Sequence, residues 1–567
     1  MLREETMAPS QMAPTRMAPN MTDYAETVRT FRWQVPETFN FGADVVDHFA
    51  RTADGPALIW ANAAGEERRF SFSDMARLTS RFASALAARG IRKGDRVLVM
   101  LPRIPEWQVA MVGCLKLGAV PIPSIEMLTP KDIEYRVRHA GVRAVVARAE
   151  HAPKFANVMG EVPVRLALTG PLGGAPGFEP LEEALASGDE AFVPVTVRAD
   201  DPAVLYYTSG STGQPKGVLH ASRGLYAWRG SAVCWLDLRP GDTIWCTADT
   251  GWSKAGTSIL FGPWSCGAAS FFYDGPFDPK ERLRLLERYG ITVYCAPGTE
   301  LFRVVDAGVA EHDLSRLRHT VSSGETLNPA VAARWQTATG VPILEAYGQT
   351  ETLMTLLNYP CVAPREGSMG KPLPGLDLAV IDGAGNRLPP DVEGDIALLT
   401  PNPQMMLGYL DEPERTASAH VEGPEGRWFV TGDLGMVDAD GYFYHRGRND
   451  DVINSAGYRI GPSEVENALL DHPAVQECAA VAAPHPERGE IVKAFVVLRA
   501  GLTGDDALAS ALQDHVKRVT APYKYPRAIE FLGELPKTMT GKVQRKVLRD
   551  LEKARAAERM VPDVARA

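Results

Sequence analysis

The chain has 567 residues, room for roughly three to four domain-sized units. Hydrophobic residues make up 45% and charged residues 23%, which excludes a mainly disordered or collagen-like chain. With 60 Lys and Arg against 70 Asp and Glu the formal charge is −10, which excludes a protein built around a global nucleic-acid or membrane-surface field.

Residues 1–30 read as a disordered extension. Met-Ala-Pro occurs three times within it, no apolar signal core is present, and Glu4 and Glu5 argue against a transit peptide. From about residue 56 strands and helices alternate. Ser73 can cap a helix carrying Met75, Leu78, Phe82 and Leu86 on one face, with Gly90 as its stop. Val97–Leu101 reads as a buried strand, Pro105 opens a second helix ended by Gly118, and Val120–Ile122 is the next strand. Thr129-Pro130 opens a third helix ending near Gly141, before a strand at Ala144–Ala147. This alternation predicts an α/β fold with doubly wound parallel sheets covered on both faces.

The seven cysteines (Cys114, Cys234, Cys246, Cys266, Cys295, Cys361 and Cys478) include no C-x-x-C pair. They fit small apolar packing residues in a reducing, cytoplasmic setting rather than a disulfide framework or zinc site. The charge-free stretch Ala255–Tyr273 is broken by Gly256, Gly262, Pro263 and Gly267. A membrane helix needs ~20 mostly apolar residues, so this stretch reads as a pocket wall.

Around residue 430 the texture changes. Phe429–Thr431 and the segments flanking Asp440-Gly441 read as β-hairpin material. Ser463-x-x-Glu466 has capping-box spacing, Val475–Ala482 and Val492–Leu498 look like strands, and Ala507–Val519 like a helix. The expected organisation is a large multi-lobed N-terminal body over 31–449, a small α+β C-terminal cap over 450–550, and a frayed, charged tail over 551–567.

The sharpest segment follows the strand-like Val204–Tyr207. It comprises Thr208, Ser209, Gly210, Ser211, Thr212, Gly213, Gln214, Pro215, Lys216 and Gly217. Its glycines and hydroxyls expose backbone N–H groups in a loop, and Lys216 adds a positive charge, a nest suited to a polyphosphate. No Gly-Lys-Ser/Thr stands at Walker spacing, which disfavours a P-loop ATPase.

The segment resembles the phosphate loop of the adenylate-forming superfamily, which includes acyl-CoA synthetases, luciferases and peptide-synthetase adenylation domains. Other matches follow in that family's order: Glu345-Ala-Tyr-Gly-Gln-Thr-Glu351, Thr431-Gly-Asp433, Arg446-Gly-Arg448-Asn-Asp-Asp451 and Pro536-Lys-Thr-Met-Thr-Gly-Lys542. The resemblance runs from about Phe31 to Arg549. Within the superfamily the chain is most similar to medium-chain acyl-CoA synthetases. That likeness rests on Val35-Pro-Glu-Thr-Phe-Asn-Phe41, Leu101-Pro-Arg-Ile-Pro-Glu-Trp107, Gly457-Tyr-Arg-Ile-Gly-Pro-Ser-Glu-Val-Glu466 and Ala521-Pro-Tyr-Lys-Tyr-Pro-Arg527.

The resemblance implies a reaction in which a carboxylate attacks the α-phosphate of ATP and the acyl-adenylate then passes its acyl group to coenzyme A. Two anions must meet, so the site has to neutralise charge and hold the reactants in line. By resemblance Lys542 bridges the carboxylate and the α-phosphate, and Thr350 contacts the α-phosphate. Glu351 and the Thr208 hydroxyl are hard oxygen ligands suited to Mg²⁺. Asp433 suits both ribose hydroxyls, and Arg448 offers a planar cation to ribose or phosphate. Tyr347, within Glu345, Ala346, Gly348 and Gln349, can stack on adenine, and Gly324, Glu325 and Thr326 resemble the wall on its other side.

The cap carries nine Lys or Arg between Lys517 and Arg549 against Glu530 and Glu534, a local excess of +7. By resemblance Arg488, Lys517, Tyr525, Pro526 and Arg527 contact coenzyme A, Ala456, Gly457 and Tyr458 line the pantetheine path, and Arg459 faces the adenylate. The family rotates its cap between half-reactions about a residue matching Asp450. Relatives that take acetate place a tryptophan where this chain has Gly348, so a longer acyl chain is expected, walled by Trp252, Thr257, Ser258 and Phe261. Glu126, where relatives often carry an amide, is left out of the site because a carboxylate repels phosphates.

The expected partners are a carboxylic acid, ATP and coenzyme A, with neither nucleic acid nor stable membrane insertion, and a homo-oligomer is left open. Three alternatives stand beside this reading: a ligase for a branched, cyclic or aromatic acid, an adenylating enzyme loading a separate carrier protein, and a non-catalytic nucleotide-sensing module. The last is disfavoured by the presence of Lys542 and Glu351.

Overall fold

The computed structural model describes residues 18–560 apart from 172, 209–214, 325–326, 449–450, 452, 456–457, 486–488, 521–523, 538–540 and 542. They fall into two compact units. The first takes the chain up to residue 376 together with 401–416, and the second takes 377–400 and the chain from 417 onward.

In the first unit, caps set the helix ends. Ser71 caps the helix Phe72–Ala88: its hydroxyl accepts the Asp74 N–H while the Asp74 carboxylate accepts the Ser71 N–H. Ser73, expected as the cap, already lies in the first turn and donates its N–H to Asp54 Oδ1 at 2.8 Å. Pro105 opens Pro105–Leu117 and Gly118 closes it at φ 73°, while Thr129 and Asp132 cap Pro130–Ala140 reciprocally.

The intervening strands build a five-stranded, all-parallel sheet. Its spatial order is Val120–Pro123, Arg96–Met100, Ala144–Arg148, Val164–Leu168 and Glu179–Pro180. Numbered along the chain within that sheet, the order is 2-1-3-4-5. The same winding recurs in a larger sheet with the order Ala269–Asp274, Thr243–Cys246, Val293–Cys295, His319–Ser323 and Ile343–Gln349. Pro56–Asn62 adds a sixth parallel strand there, and Glu67–Ser71, Leu353–Leu357 and Ser368–Pro372 extend the edges antiparallel. The parallel strands are buried along almost every residue, as coverage of both faces requires. The doubly wound, multi-lobed expectation holds. In such sheets ligands gather outside the carboxyl ends of the strands. A third sheet joins Pro202–Thr208, Lys216–Ala221 and Gly408–Tyr409.

The second unit opens with antiparallel strands Leu378–Ile381, Gly394–Thr400, Gly426–Val437 and Phe443–Arg448, with His420–Gly423 alongside. The hairpin expected at Asp440-Gly441 joins the two long strands. The chain continues into an α+β fold whose sheet contains Ile453–Ser455, Tyr458–Ile460, Val475–His485, Gly489–Leu498 and Ala528–Phe531.

Three expectations are corrected. Residues 18–30 are not a disordered extension: Met21 is buried, the Asn20 N–H donates to Asp237 Oδ1 at 2.7 Å, and Tyr24 donates to the Pro372 carbonyl at 2.9 Å. Ser463 and Glu466 form no capping box, because Gly461 holds the N-cap of Pro462–Leu470. Glu466 is instead buried, accepting the Ala480 N–H at 2.8 Å and pairing with Arg545. Residues 551–560, expected to fray, continue the helix Arg545–Met560, with buried Glu552 accepting from Lys493 at 2.8 Å.

All seven cysteines are free, six of them buried. The charge-free stretch folds as short helical turns leading into Ala269–Asp274, and among the described residues no helix is long and apolar enough to cross a membrane.

Candidate active site

The first-unit site grows from one hairpin. Pro202–Thr208 pairs antiparallel with Lys216–Ala221, setting Thr208 opposite Lys216. The connecting residues Ser209, Gly210, Ser211, Thr212, Gly213 and Gln214 lie outside the described residues. The Pro215 carbonyl accepts from the Tyr135 hydroxyl at 2.8 Å, which anchors the hairpin's return.

The Lys216 ammonium reaches Glu351 Oε1 at 2.5 Å and the Tyr409 hydroxyl at 3.1 Å. Tyr409 in turn donates to Glu351 Oε1 at 3.0 Å. Burial alone raises the Glu351 carboxyl, but the Lys216 charge and hydrogen bond, with help from Tyr409, hold it below its ordinary value. The Thr208 hydroxyl is buried with no hydrogen-bond partner among the described residues. Thr208 stands opposite Lys216, whose ammonium holds Glu351, and a buried carboxylate and an unpartnered hydroxyl linked in this way are oxygen donors of the kind a hard divalent cation takes.

Backbone pairing holds this group together. Gly408 and Tyr409 pair with Leu219 and Val218, and the Met406 N–H donates to the Glu351 carbonyl at 2.9 Å. Tyr409 was not foreseen. Its partner Lys216 lies 193 residues away, so no local spacing marks it. His220 was missed too, although strand parity could have found it: Lys216, Val218 and His220 share one face. The His220 Nε2 contacts the Thr350 carbonyl at 2.6 Å, while the Thr350 hydroxyl meets Ser253 Oγ at 3.0 Å. One strand face thus addresses both Thr350 and Glu351.

Thr350 and Glu351 sit just past the carboxyl end of Ile343–Gln349, and Gly324 follows the parallel strand His319–Ser323, whose last residue lies opposite Ala346. Tyr347 is half-buried, whereas Ala346 is buried packing. The Glu345 carboxyl accepts the Leu327 N–H at 2.9 Å and is pushed up to about 7 by burial, with that N–H opposing. It therefore ties down the chain just after Gly324 through the backbone. Glu325 and Thr326 lie outside the described residues.

Gly348 has a backbone reason of its own. Leu353 adopts φ 59°, and a Cβ at 348 would run into the Leu353 carbonyl oxygen. The missing side chain is thus required by the hairpin bulge, and its direction is filled by backbone rather than by open pocket. Phe261, expected in the acyl wall, is core: it lies fully buried with ring centroids 5.0 Å from both Phe41 and Trp228. Thr257 and Ser258 are buried, and Trp252 is half-buried against the cluster containing Leu205 and Tyr207.

Glu126 faces Arg148 at 3.5 Å and His151 Nε2 at 3.1 Å. Burial pushes its carboxyl up to about 7, and Glu150, Asp274 and Asp249 push the same way against Arg148.

In the second unit Asp433 is buried and directly opposite Arg448 in the antiparallel register. Its N–H donates to the Thr431 hydroxyl at 3.1 Å, and its Oδ1 lies 3.7 Å from His445 Nε2. Arg448, Tyr458 and Arg459 are placed on strands by their backbones, while Ala456, Gly457, Asp450, Arg488 and Lys542 lie outside the described residues.

Lys517, Tyr525 and Arg527 come together, flanked by buried Pro526. The Lys517 ammonium stands 4.4 Å from the Tyr525 ring centre, and the Arg527 guanidinium 4.9 Å from it. The basic excess of the cap is smaller than segment counting suggests. Lys517, Lys524, Lys537, Arg545, Lys546 and Arg549 pair with Asp514, Glu464, Glu477, Glu466, Asp550 and Asp451, six acids that all lie outside 517–549.

Comparisons with known proteins agree with this geometry. The family described as AMP-binding enzyme matches residues 45–410, and its C-terminal domain matches 464–542. The chain is 40% identical over 94% of its length, and 94% of the relative's, to the mouse (Mus musculus) acyl-coenzyme A synthetase ACSM3, mitochondrial. Among solved structures, a Brucella canis acyl-CoA synthetase is 33% identical with a TM-score of 0.71, covering 95% of this chain and 99% of that one. The anthranilate CoA ligase AuaEII, in complex with anthranoyl-AMP, is 30% identical with a TM-score of 0.82, covering 92% and 99%. The curated relative is a mitochondrial protein, so the cytoplasmic setting expected from cysteine usage does not stand: free thiols report a reducing environment and not an address. Identity of this extent, spanning body and cap alike, leads to one conclusion: the chain belongs to the AMP-binding enzymes, among the ATP-dependent, AMP-forming acyl-CoA synthetases.

Proposed function

We propose that the acid activated by this enzyme is a medium-chain carboxylic acid. The acid's carboxylate oxygen attacks the α-phosphorus of ATP, the bond to the bridging oxygen breaks, and diphosphate leaves. The thiolate of coenzyme A then attacks the acyl carbonyl carbon and AMP departs. Lys542 bridges the two anions in the first step, with Thr350 at the α-phosphate. The observation that carries the reading is the buried Lys216–Glu351–Tyr409 group beside the unpartnered Thr208 hydroxyl.

Glu351 and Thr208 would hold Mg²⁺, which when bound offsets phosphate charge. Lys216 holds Glu351 ionised in a buried place, and a polyphosphate gives Lys216 a second anion to turn to. Tyr347 stacks on adenine, Asp433 takes the ribose hydroxyls, and the Gly324–Thr326 segment walls the base. Lys517, Tyr525 and Arg527 form an amphipathic cation cluster suited to the phosphates of coenzyme A, with Arg488, Ala456, Gly457 and Tyr458 completing its path. Domain boundaries near 449 and 550, and cap rotation about Asp450, belong to the same reading.

A panel of linear acids from acetate to dodecanoate, with benzoate and a branched acid, tests it by AMP and acyl-CoA release. Highest kcat/KM for six to ten carbons supports the reading. Highest kcat/KM for acetate or benzoate contradicts it.

A further inference from the structure

His220 is fully buried, and an aliphatic side chain could fill the same space without stranding a polar atom. Its Nε2 meets the Thr350 carbonyl at 2.6 Å, and since a carbonyl only accepts, Nε2 carries the proton. The other nitrogen, Nδ1, is buried with no partner among the described residues. Burial pushes the imidazole down to about 4, so it stays neutral and keeps that tautomer.

The contact is one link in a closed circuit. From Thr350 the path runs through its hydroxyl to Ser253 Oγ at 3.0 Å. Ser253 begins the turn that carries Thr257, whose Oγ1 accepts from Trp228 Nε1 at 2.6 Å. The Trp228 ring lies 5.9 Å from the His220 ring, centre to centre, and returns the path to its start. The circuit therefore joins the segment expected to wall the acyl chain to the residue expected at the α-phosphate, and His220 is not among the residues expected to touch either substrate.

We propose that His220 is a positioning residue that couples acyl-wall occupancy to the placement of Thr350, so that chain-length selection and ATP use are linked through one imidazole. The proposal rests on the reading of Thr350 as the α-phosphate contact. His220 fixes the Thr350 carbonyl, the Thr350 hydroxyl fixes Ser253, and Thr257 with Trp228 senses the wall. A contiguous path of hydrogen bonds, one helical turn and one ring contact lets the acyl wall and Thr350 bias one another.

The test uses the full chain in three variants, His220→Leu, His220→Gln and Thr257→Val, with hexanoate and decanoate as acids. Thermal midpoints accompany the kinetics. Absence of AMP-forming activity in the unmodified enzyme would defeat the functional reading, and leaves its failure distinct from that of the coupling. With an active enzyme, His220→Leu is expected to lower kcat/KM about tenfold, raise the KM for ATP, and shift the hexanoate-to-decanoate ratio about threefold. His220→Gln, which retains an N–H donor, is expected to recover most of each effect. Thr257→Val, which contacts neither His220 nor Thr350, is expected to raise the KM for ATP, and this arm decides the matter if His220→Leu does not fold. An unchanged KM for ATP in Thr257→Val, an unchanged acid ratio in folded His220→Leu, or no recovery by glutamine overturns the proposal.

Discussion

The Lys216 ammonium lies 2.5 Å from Glu351 Oε1 at a carboxylate only 8% exposed, with the Tyr409 hydroxyl bonded to both. A buried pair is costly to break from one side, because the remaining charge is stranded. Glu351 is thus held ionised in a place where an isolated carboxyl would take up a proton.

Lys216→Met is therefore expected to cost about 3 kcal/mol or more of stability, whereas Lys216→Met with Glu351→Gln costs less than the single change. Denaturant unfolding of both variants checks this. A double variant no more stable than Lys216→Met contradicts it.

Tyr409→Phe keeps the ring beside the ammonium, 4.6 Å away in the present structure, and removes only the hydroxyl. Stability should fall by about 1 kcal/mol, and the KM for magnesium-ATP should rise several-fold, about threefold to tenfold. Steady-state kinetics at saturating acid read the effect directly.

The Glu345 carboxyl, pushed up to about 7, gives a pH signature. Its folded value lies above the ordinary one near 4.5, so its contribution to stability is fully present below pH 4.5 and is lost as pH rises towards 7. Glu345→Gln still accepts the Leu327 N–H without titrating. The variant's thermal midpoint should rise relative to the unmodified enzyme between pH 4.5 and 7, then hold a constant lead. A lead independent of pH would count against a buried, proton-taking carboxyl.

Glu466 anchors the second unit, accepting the Ala480 N–H at 2.8 Å while its carboxylate pairs with Arg545 at 2.5 Å. Glu466→Ala strands Arg545 and an amide together, and about 3–5 kcal/mol should be lost. Urea unfolding followed by circular dichroism measures this.

Much of the scaffold was legible because it is written locally. Pro105 and Gly118, or Thr129 and Gly141, mark their own helix ends. Ser71 outcompeted Ser73 because Asp74 stands three residues after Ser71, the spacing that closes a reciprocal box. Ser463 and Glu466 show the same spacing, yet tertiary demand from Arg545 and Ala480 claimed the glutamate. The site divides in the same way. Thr208, Lys216, Thr350 and Glu351 lie in contiguous motifs and converge as expected, whereas Tyr409 and Ser253 reach them only through folding. Gly348 reads from the sequence as room for an acyl chain, but the Leu353 backbone, not empty space, occupies its missing side chain's direction.

The most direct measurement is acid-dependent exchange of labelled diphosphate into ATP, for the unmodified enzyme and for Lys542→Ala. The account predicts robust exchange with a medium-chain acid and a loss of about a hundredfold or more in the variant, while the variant still converts supplied acyl-adenylate and coenzyme A into thioester. Undiminished exchange in Lys542→Ala would contradict it.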